Sequence, residues 1–324
     1  MVQIGRREFI TLIAGAAAAW PRVARAQAWP ERPVRVICPV AAGGGIDATA
    51  RILGAPLSDM WGQQVLVESK TGASGTIAAE FVAHAAPDGH IIYIATFPHV
   101  VNPFFYPTLA YDPIADFAPA TLIAHYPLVM VVPNSSPAHT IAEFIAYAKT
   151  KQLTYASSGV GTSLHLAGEL FKRKAGIDIT HVSYRGAGLV FQDLIPGRID
   201  ALINFTSSSL PLVRQGQLRA LAVTTTERLA VAPDIPTMAE AGVPGVEVTS
   251  WAAFLLPAKT PSAIMRKIHD DTVAVLGQPR VRSKLEQNGA VIVGSTPQEL
   301  VSFMTAETEK WGQVIAAANI RRAD

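Results

Sequence analysis

The stretch Pro39-Val-Ala-Ala-Gly-Gly-Gly-Ile-Asp47 follows a strand-like apolar run, residues 34–38, and leads straight into a helical pattern. From Ile46 the apolar positions Ile46, Ala50, Leu53, Leu57 and Met60 recur at helical spacing, which sets Gly43, Gly44 and Gly45 at a helix start. Glycine lets the main chain approach a ligand closely, and the first helical turn leaves N–H groups that carry partial positive charge. The stretch therefore reads as an anion cradle; the alternative is a tight strand-to-helix turn that holds nothing. Asp47 either caps this helix or receives the ammonium group of an amino-acid ligand.

Three further junctions repeat the pattern. Residues 64–68 read as a strand, Lys70-Thr-Gly-Ala-Ser-Gly-Thr76 breaks it, and a helix follows over 76–85, which brings Gly72, Ser74, Gly75 and Thr76 to a second loop. Downstream, a strand at 154–156 runs through Ser157-Ser-Gly-Val-Gly-Thr-Ser163 into a helix over 164–175. This third loop offers Ser157, Ser158, Gly161, Thr162 and Ser163. A strand at 180–184 ends in Arg185-Gly-Ala-Gly188 before another helix. Between these pairs, residues 91–95 form an apolar strand whose exit, Thr96-Phe-Pro-His-Val-Val-Asn-Pro103, mixes aromatic and polar groups as cleft-facing strand ends do. Residues 128–132 are expected to cross to a second lobe and 218–224 to cross back, with helices over 261–276, 279–288 and 297–317 closing the chain. Alternating strands and helices predict an α/β architecture with mostly parallel sheets flanked by helices, and ligand beyond the carboxyl ends of the strands.

Four helix N-termini converging from two lobes would hold a carboxylate without a full positive charge in the cleft, each hydrogen bond to the charged group contributing about 1.5–3 kcal/mol. The Ser and Thr hydroxyls serve a ligand or cap their helices. Arg185 binds an acid bidentately or pairs with an acidic side chain, and Tyr184 lines the wall. His165, one turn into its helix, touches ligand or packs between loop and sheet. Asn204, after the strand at 201–203, is a further lining candidate.

A chain of 324 residues, 49% hydrophobic and 16% charged, is long enough for two lobes with separate cores. Its formal charge of +2 becomes −1 once residues 1–26, with a local excess of +3 from Arg6, Arg7, Arg22 and Arg25 over Glu8, are set apart. Without a basic cluster, nucleic acid is excluded as a partner. Residues 1–26 read as a signal peptide, with Gly5-Arg-Arg-Glu-Phe9 charged, 10–20 apolar, and Ala24-Arg-Ala26 the cleavage site. The paired arginines resemble a twin-arginine signal, although Gly5 stands where Ser or Thr is usual, so the export route stays open. Cys38 is the sole cysteine, which excludes an internal disulfide and a multi-thiolate metal site; no metal and no cofactor is expected. No G-x-S-x-G, G-x-x-x-x-G-K-[ST] or H-E-x-x-H occurs, which argues against an enzyme. The competing catalytic reading is a secreted hydrolase with Ser158 as nucleophile and His165 as base.

The motifs together resemble the Bug-type solute receptors of tripartite tricarboxylate transport systems. The resemblance runs from Trp29-Pro-Glu-Arg-Pro33 through Pro39 to Asp47, Gly72-Ala-Ser-Gly75, Ala86-Pro-Asp-Gly89, Asn102-Pro103 and Tyr111-Asp-Pro113. It continues through Tyr155-Ala-Ser-Ser-Gly-Val-Gly-Thr162, His165-Leu166, His181-Val-Ser-Tyr-Arg-Gly186, Arg219-Ala-Leu-Ala-Val223 and Pro233-Asp-Ile-Pro-Thr237. It implies a two-lobed, type II-like periplasmic binding protein, joined by two crossing strands, that closes on a small organic acid and delivers it to membrane subunits of the transporter. The matching ligand loops are the glycine cradle, the Gly72 loop and the loop at 157–163. Lobe 1 is expected to comprise 27–127 and 225–324, lobe 2 to comprise 128–224, and the exported protein to act as a monomer. A periplasmic sensor subunit that signals occupancy is the other binding-class reading. Ala41-Ala42 replace a usual Pro-containing pair, and Ser183 replaces a usual Pro.

Overall fold

The computed structural model describes residues 29–106, 108–184, 187–318 and 320. The expected signal segment and Arg185 lie outside the described residues. Two similar units succeed one another along the chain. In the first, β1 (Val34–Cys38) lies between β2 (Val65–Ser69) and β3 (Ile91–Thr96), parallel to both, with α1 (Gly45–Trp61) and α2 (Thr76–Ala83) as crossovers. In the second, β5 (Leu153–Ser157) lies between β6 (Ile179–Ser183) and β7 (Ala201–Phe205), again parallel, with α5 (Ser163–Ala175) and α6 (Ala187–Leu194) connecting them. In both, the first strand is central and the loop after it feeds a helix N-terminus. The intervening helices are α3 (Pro98–Phe105) and α4 (Ile141–Ala148).

One strand serves both sheets. β4 (Phe117–Pro133) pairs antiparallel with β9 (Thr249–Pro257) up to Pro127, then from Leu128 with β7 and with β8 (Leu218–Val223). Proline lacks a ladder donor, so Pro127 stands where the strand leaves one set of partners for another. The sheets are therefore mixed: three parallel strands in each unit continue into antiparallel ones. The return passage is interrupted. After β8 the chain makes turns over residues 225–247, and Thr224 and Val248 meet again through a Val248 amide to Thr224 carbonyl bond of 2.9 Å before β9 begins. The chain continues through α7 (Thr206–Arg214) between β7 and β8, then through α8 (Ser262–Leu276), α9 (Pro279–Gln287), β10 (Val291–Ile292) and α10 (Pro297–Ala317) after β9.

α1 buries Ala50, Leu53 and Leu57 as its periodicity predicts, but Met60 is 42% exposed and Trp61 completes the buried face. Trp61 stands four residues after Leu57 and donates its indole N–H to Asp271 (2.6 Å), so the larger ring takes the packed position. Cys38 is fully buried and burial pushes its thiol up, which leaves it inert. Among the described residues no helix is long and apolar enough to cross a membrane.

Candidate functional site

A cavity of about 280 Å3 lies between the two units, walled by Ala73, Ser74, Asn102, Phe105 and Tyr106 from the first and by Val160 and Gly161 from the second. Its first wall is strained. Gly72, Ala73, Ser74 and Gly75 have φ of 126°, 45°, 54° and 89°, so two residues with side chains adopt the left-handed conformation, at roughly 1–2 kcal/mol each. Hydrogen bonds hold them there: Asn102 Nδ2 donates to the Ser74 carbonyl (3.1 Å), the Tyr106 hydroxyl donates to Ser74 Oγ (3.4 Å), and the Gly75 amide donates to the Gly72 carbonyl (2.9 Å). Strain of this kind persists where the surroundings over-determine it, and functional loops are where it concentrates.

The second wall is a glycine turn that feeds α5. Gly161 has φ of 78°, and a Cβ there would sit 3.2 Å from the Phe105 ring, so both conformation and the approach of the opposite unit require glycine. Thr162 caps α5: its Oγ1 accepts from the His165 amide (3.3 Å) and donates to the Gly159 carbonyl (2.7 Å). Ser157 is fully buried and its hydroxyl bonds Gly159 and His181. Ser163 is buried in the first turn of α5. The hydroxyls of Ser157 and Thr162 thus shape the loop, and the positive end of α5 sits behind it.

The glycine cradle has its own anion. Asp47 Oδ2 accepts from the Gly43 amide and from Arg51 Nε, both at 2.9 Å, and the Arg51 hydrogen bond above all draws the carboxyl below its usual range. Gly43, Gly44 and Gly45 are exposed and stand outside the lining of the cavity. Asp47 itself is 2% exposed, and its Oδ1 is buried with no partner among the described residues, so the carboxylate serves the turn and Arg51. Tyr184 donates its hydroxyl to Asp193 (2.8 Å). Asn204 is fully buried, donates to Ser208 and Ser209, and keeps Oδ1 unpartnered. Thr76 opens α2, and Ser158 is half-buried beside the second wall.

The Ser158–His165 pair of the hydrolase reading does not form, because His165 Nδ1 accepts from the Gly161 amide (3.2 Å). The serine that meets an imidazole is Ser157, 2.7 Å from His181 Nε2, and it is buried beneath the loop. Among the described residues no group of three or more metal-ligating side chains comes together.

A larger cavity, about 540 Å3, lies where the chain crosses between the sheets, among His125, Pro127, residues 224–230, residues 247–249 and α10. Its walls are laced together by the Thr224 amide to the Leu128 carbonyl (3.0 Å), the Val248 amide to Thr224, and Lys310 Nζ to the Glu247 carbonyl (2.6 Å). These walls are tied to one another by hydrogen bonds, whereas those of the smaller cavity come from the two separate units. The smaller cavity is therefore the candidate site. Its residues Ala73, Asn102, Phe105, Tyr106 and Val160 were not singled out by the loop motifs; the polar and aromatic exit of β3 was the signal for Asn102.

Two α/β units with opposed loops across a gap define a two-lobed periplasmic binding protein. Residues 49–320 match the family model described as the tripartite tricarboxylate transporter family receptor. Among curated relatives, a UPF0065 protein from the tcbD-tcbE intergenic region of Pseudomonas sp. (strain P51) is 36% identical over 319 residues, 97% of this chain and 95% of its own. Among solved structures, R. palustris Rpa4515 with adipate superposes with a TM-score of 0.81 at 37% identity, over 91% of this chain and all of that one. MatC from Rhodopseudomonas palustris with bound malate gives 0.77 at 33% identity, over 89% of this chain and all of its own. The chain belongs to the tripartite tricarboxylate transporter receptor family.

Proposed function

We propose that this protein captures a small organic carboxylate between its lobes and delivers it to the membrane subunits of a tripartite tricarboxylate-type transporter. The observation that carries the reading is the cavity between the strained Ala73–Ser74 loop and the Val160–Gly161 loop, formed by opposite sheets. Relatives solved with adipate and with malate support an acid of that size. Lobe 1 comprises 27–127 and 225–324 and lobe 2 comprises 128–224, hinged at β4 and at Thr224 and Val248. Closure brings the loops at 72–76 and 157–163 onto the ligand, with Gly43, Gly44, Gly45, Asp47, Tyr184 and Asn204 as the outer shell. The chain is exported by a signal peptide cleaved near Ala26, works as a monomer in the periplasm, and binds without catalysis.

A melting screen with adipate, malate, citrate and amino acids tests this reading. A ligand at 100 times its dissociation constant stabilises the folded state by about 2.7 kcal/mol, and a clear upward shift with an acid is expected. The same melting temperature with every acid overturns the reading.

A further inference from the structure

The hydrogen bond that fixes the second wall of the cavity comes from beneath the loop. The Gly161 amide donates to His165 Nδ1 (3.2 Å), which places the ring proton of His165 on Nε2. That ring lies 4.1 Å from the ring of His181, tilted by 33°. His181 Nε2 is 2.7 Å from Ser157 Oγ, whose own proton goes to the Gly159 carbonyl (3.1 Å), so His181 is the donor there. Ser157 Oγ also accepts from the Gly159 amide (3.2 Å). Two adjacent imidazoles thus hold both glycines of the turn, one directly and one through Ser157.

The bond from Gly161 needs His165 neutral, since only an unprotonated Nδ1 accepts, whereas His181 donates to Ser157 with or without its second proton. His165 is 4% exposed, and burial first, then His181 and Lys172, push it down to about 3; burial also pushes His181 down, Glu169 opposing and Lys172 adding. The other polar groups around the pair are engaged: the Tyr155 hydroxyl donates to Glu169 Oε1 (2.5 Å), which also receives Lys172 Nζ (3.2 Å).

In a trans peptide the N–H and C=O point in opposite directions. With the Gly161 amide turned to His165, the Val160 carbonyl points away from that ring, and among the described residues it accepts no hydrogen bond. Both residues line the cavity. We propose that His165 and His181 are positioning residues that hold this peptide with its carbonyl towards the ligand, so that the second lobe selects acids carrying a hydroxyl or amino donor over plain acids of the same length. The inference rests on the receptor reading, because it concerns which acid that site prefers. A merely packed histidine pair would set stability and leave the preference untouched.

The test compares malate with succinate and 2-hydroxyadipate with adipate by titration calorimetry in wild type, His165→Leu and His165→Asn. Wild type should favour the hydroxy acid of the pair it binds by about fivefold or more, the worth of one hydrogen bond. His165→Leu should bring that ratio close to one. His165→Asn, whose Oδ1 replaces the Nδ1 acceptor, should keep it. Equal affinity for both acids in wild type, or an unchanged ratio in His165→Leu, overturns the inference while leaving the receptor reading intact. Because ring tautomer is readable without ligand, nitrogen-15 NMR of the free protein adds an independent arm: His165 must be the neutral Nε2–H form at pH 7, and the Nδ1–H or charged form overturns the proposal even if no acid binds.

Discussion

Lowering the pH from 8 to 5 should destabilise the ligand-free protein by at least about 4 kcal/mol, through histidines that folding buries without charge. Burial holds His165 down to about 3 and His99 down to about 4. His99 sits fully buried between the rings of Tyr93, Tyr111 and Phe117, with Nε2 donating to the Pro113 carbonyl at 2.8 Å. In the unfolded chain both return to about 6.5. Between about pH 4 and 6.5 the unfolded state therefore binds more protons, so stability is full above 6.5 and falls as the pH drops. At pH 5 each ring costs about 2 kcal/mol, set against a typical total of about 5–15 kcal/mol. His125 and His181 are pushed down by burial too and act in the same direction. The carboxyls held low by partners, Asp47 and Glu68 among them, begin to lose their contribution only as the pH falls past their unfolded values of 3.8 and 4.5, so the window from 8 to 5 belongs to the histidines. Urea unfolding followed by circular dichroism at pH 8, 6.5 and 5 reads the effect, and His165→Asn should remove about 2 kcal/mol of the loss at pH 5. Equal stability at pH 5 and 8, or a rise towards acid, refutes the reasoning.

Other substitutions probe single contacts. Gly161→Ala forces a side chain into left-handed backbone and against Phe105, so affinity for the bound acid should fall about tenfold with a stability loss of roughly 1–2 kcal/mol, measured by calorimetry and melting. Asn102→Ala removes the donor to the Ser74 carbonyl and with it the restraint on the strained loop; binding should weaken by roughly tenfold, as titration would show. In Gly168→Ala the new methyl would run into the Tyr155 ring, and overpacking of this kind should cost about 1–3 kcal/mol in urea unfolding.

The repeated strand, polar loop and helix pattern was legible in the sequence because glycine turns and helical periodicity are local signals. β1, β5 and β6 stand next to their loops as the motifs predict. What the sequence did not reveal depends on distant partners. Nothing in the run from Gly43 to Asp47 says that Gly43 will donate to Asp47, since that bond follows from the backbone path of the turn. Asn102 and Tyr106 become cavity residues only when α3 packs beside the Ser74 loop. Likewise His165 and His181, sixteen residues apart, meet because α5 starts from the loop after β5, whose neighbour in the sheet is β6. Met60 fits the periodicity of α1 and is displaced by Trp61, a competition between adjacent positions that spacing alone does not resolve.

The account stands on a carboxylate held between two lobes, and titration of adipate or malate into wild type and Val160→Trp tests it most directly. Val160 is half-buried on the cavity wall, so the indole would fill the space while circular dichroism confirms an unchanged fold. The account predicts one acid per chain in wild type and none in the variant. An acid that binds Val160→Trp as tightly as wild type would place its site elsewhere and contradict the claim.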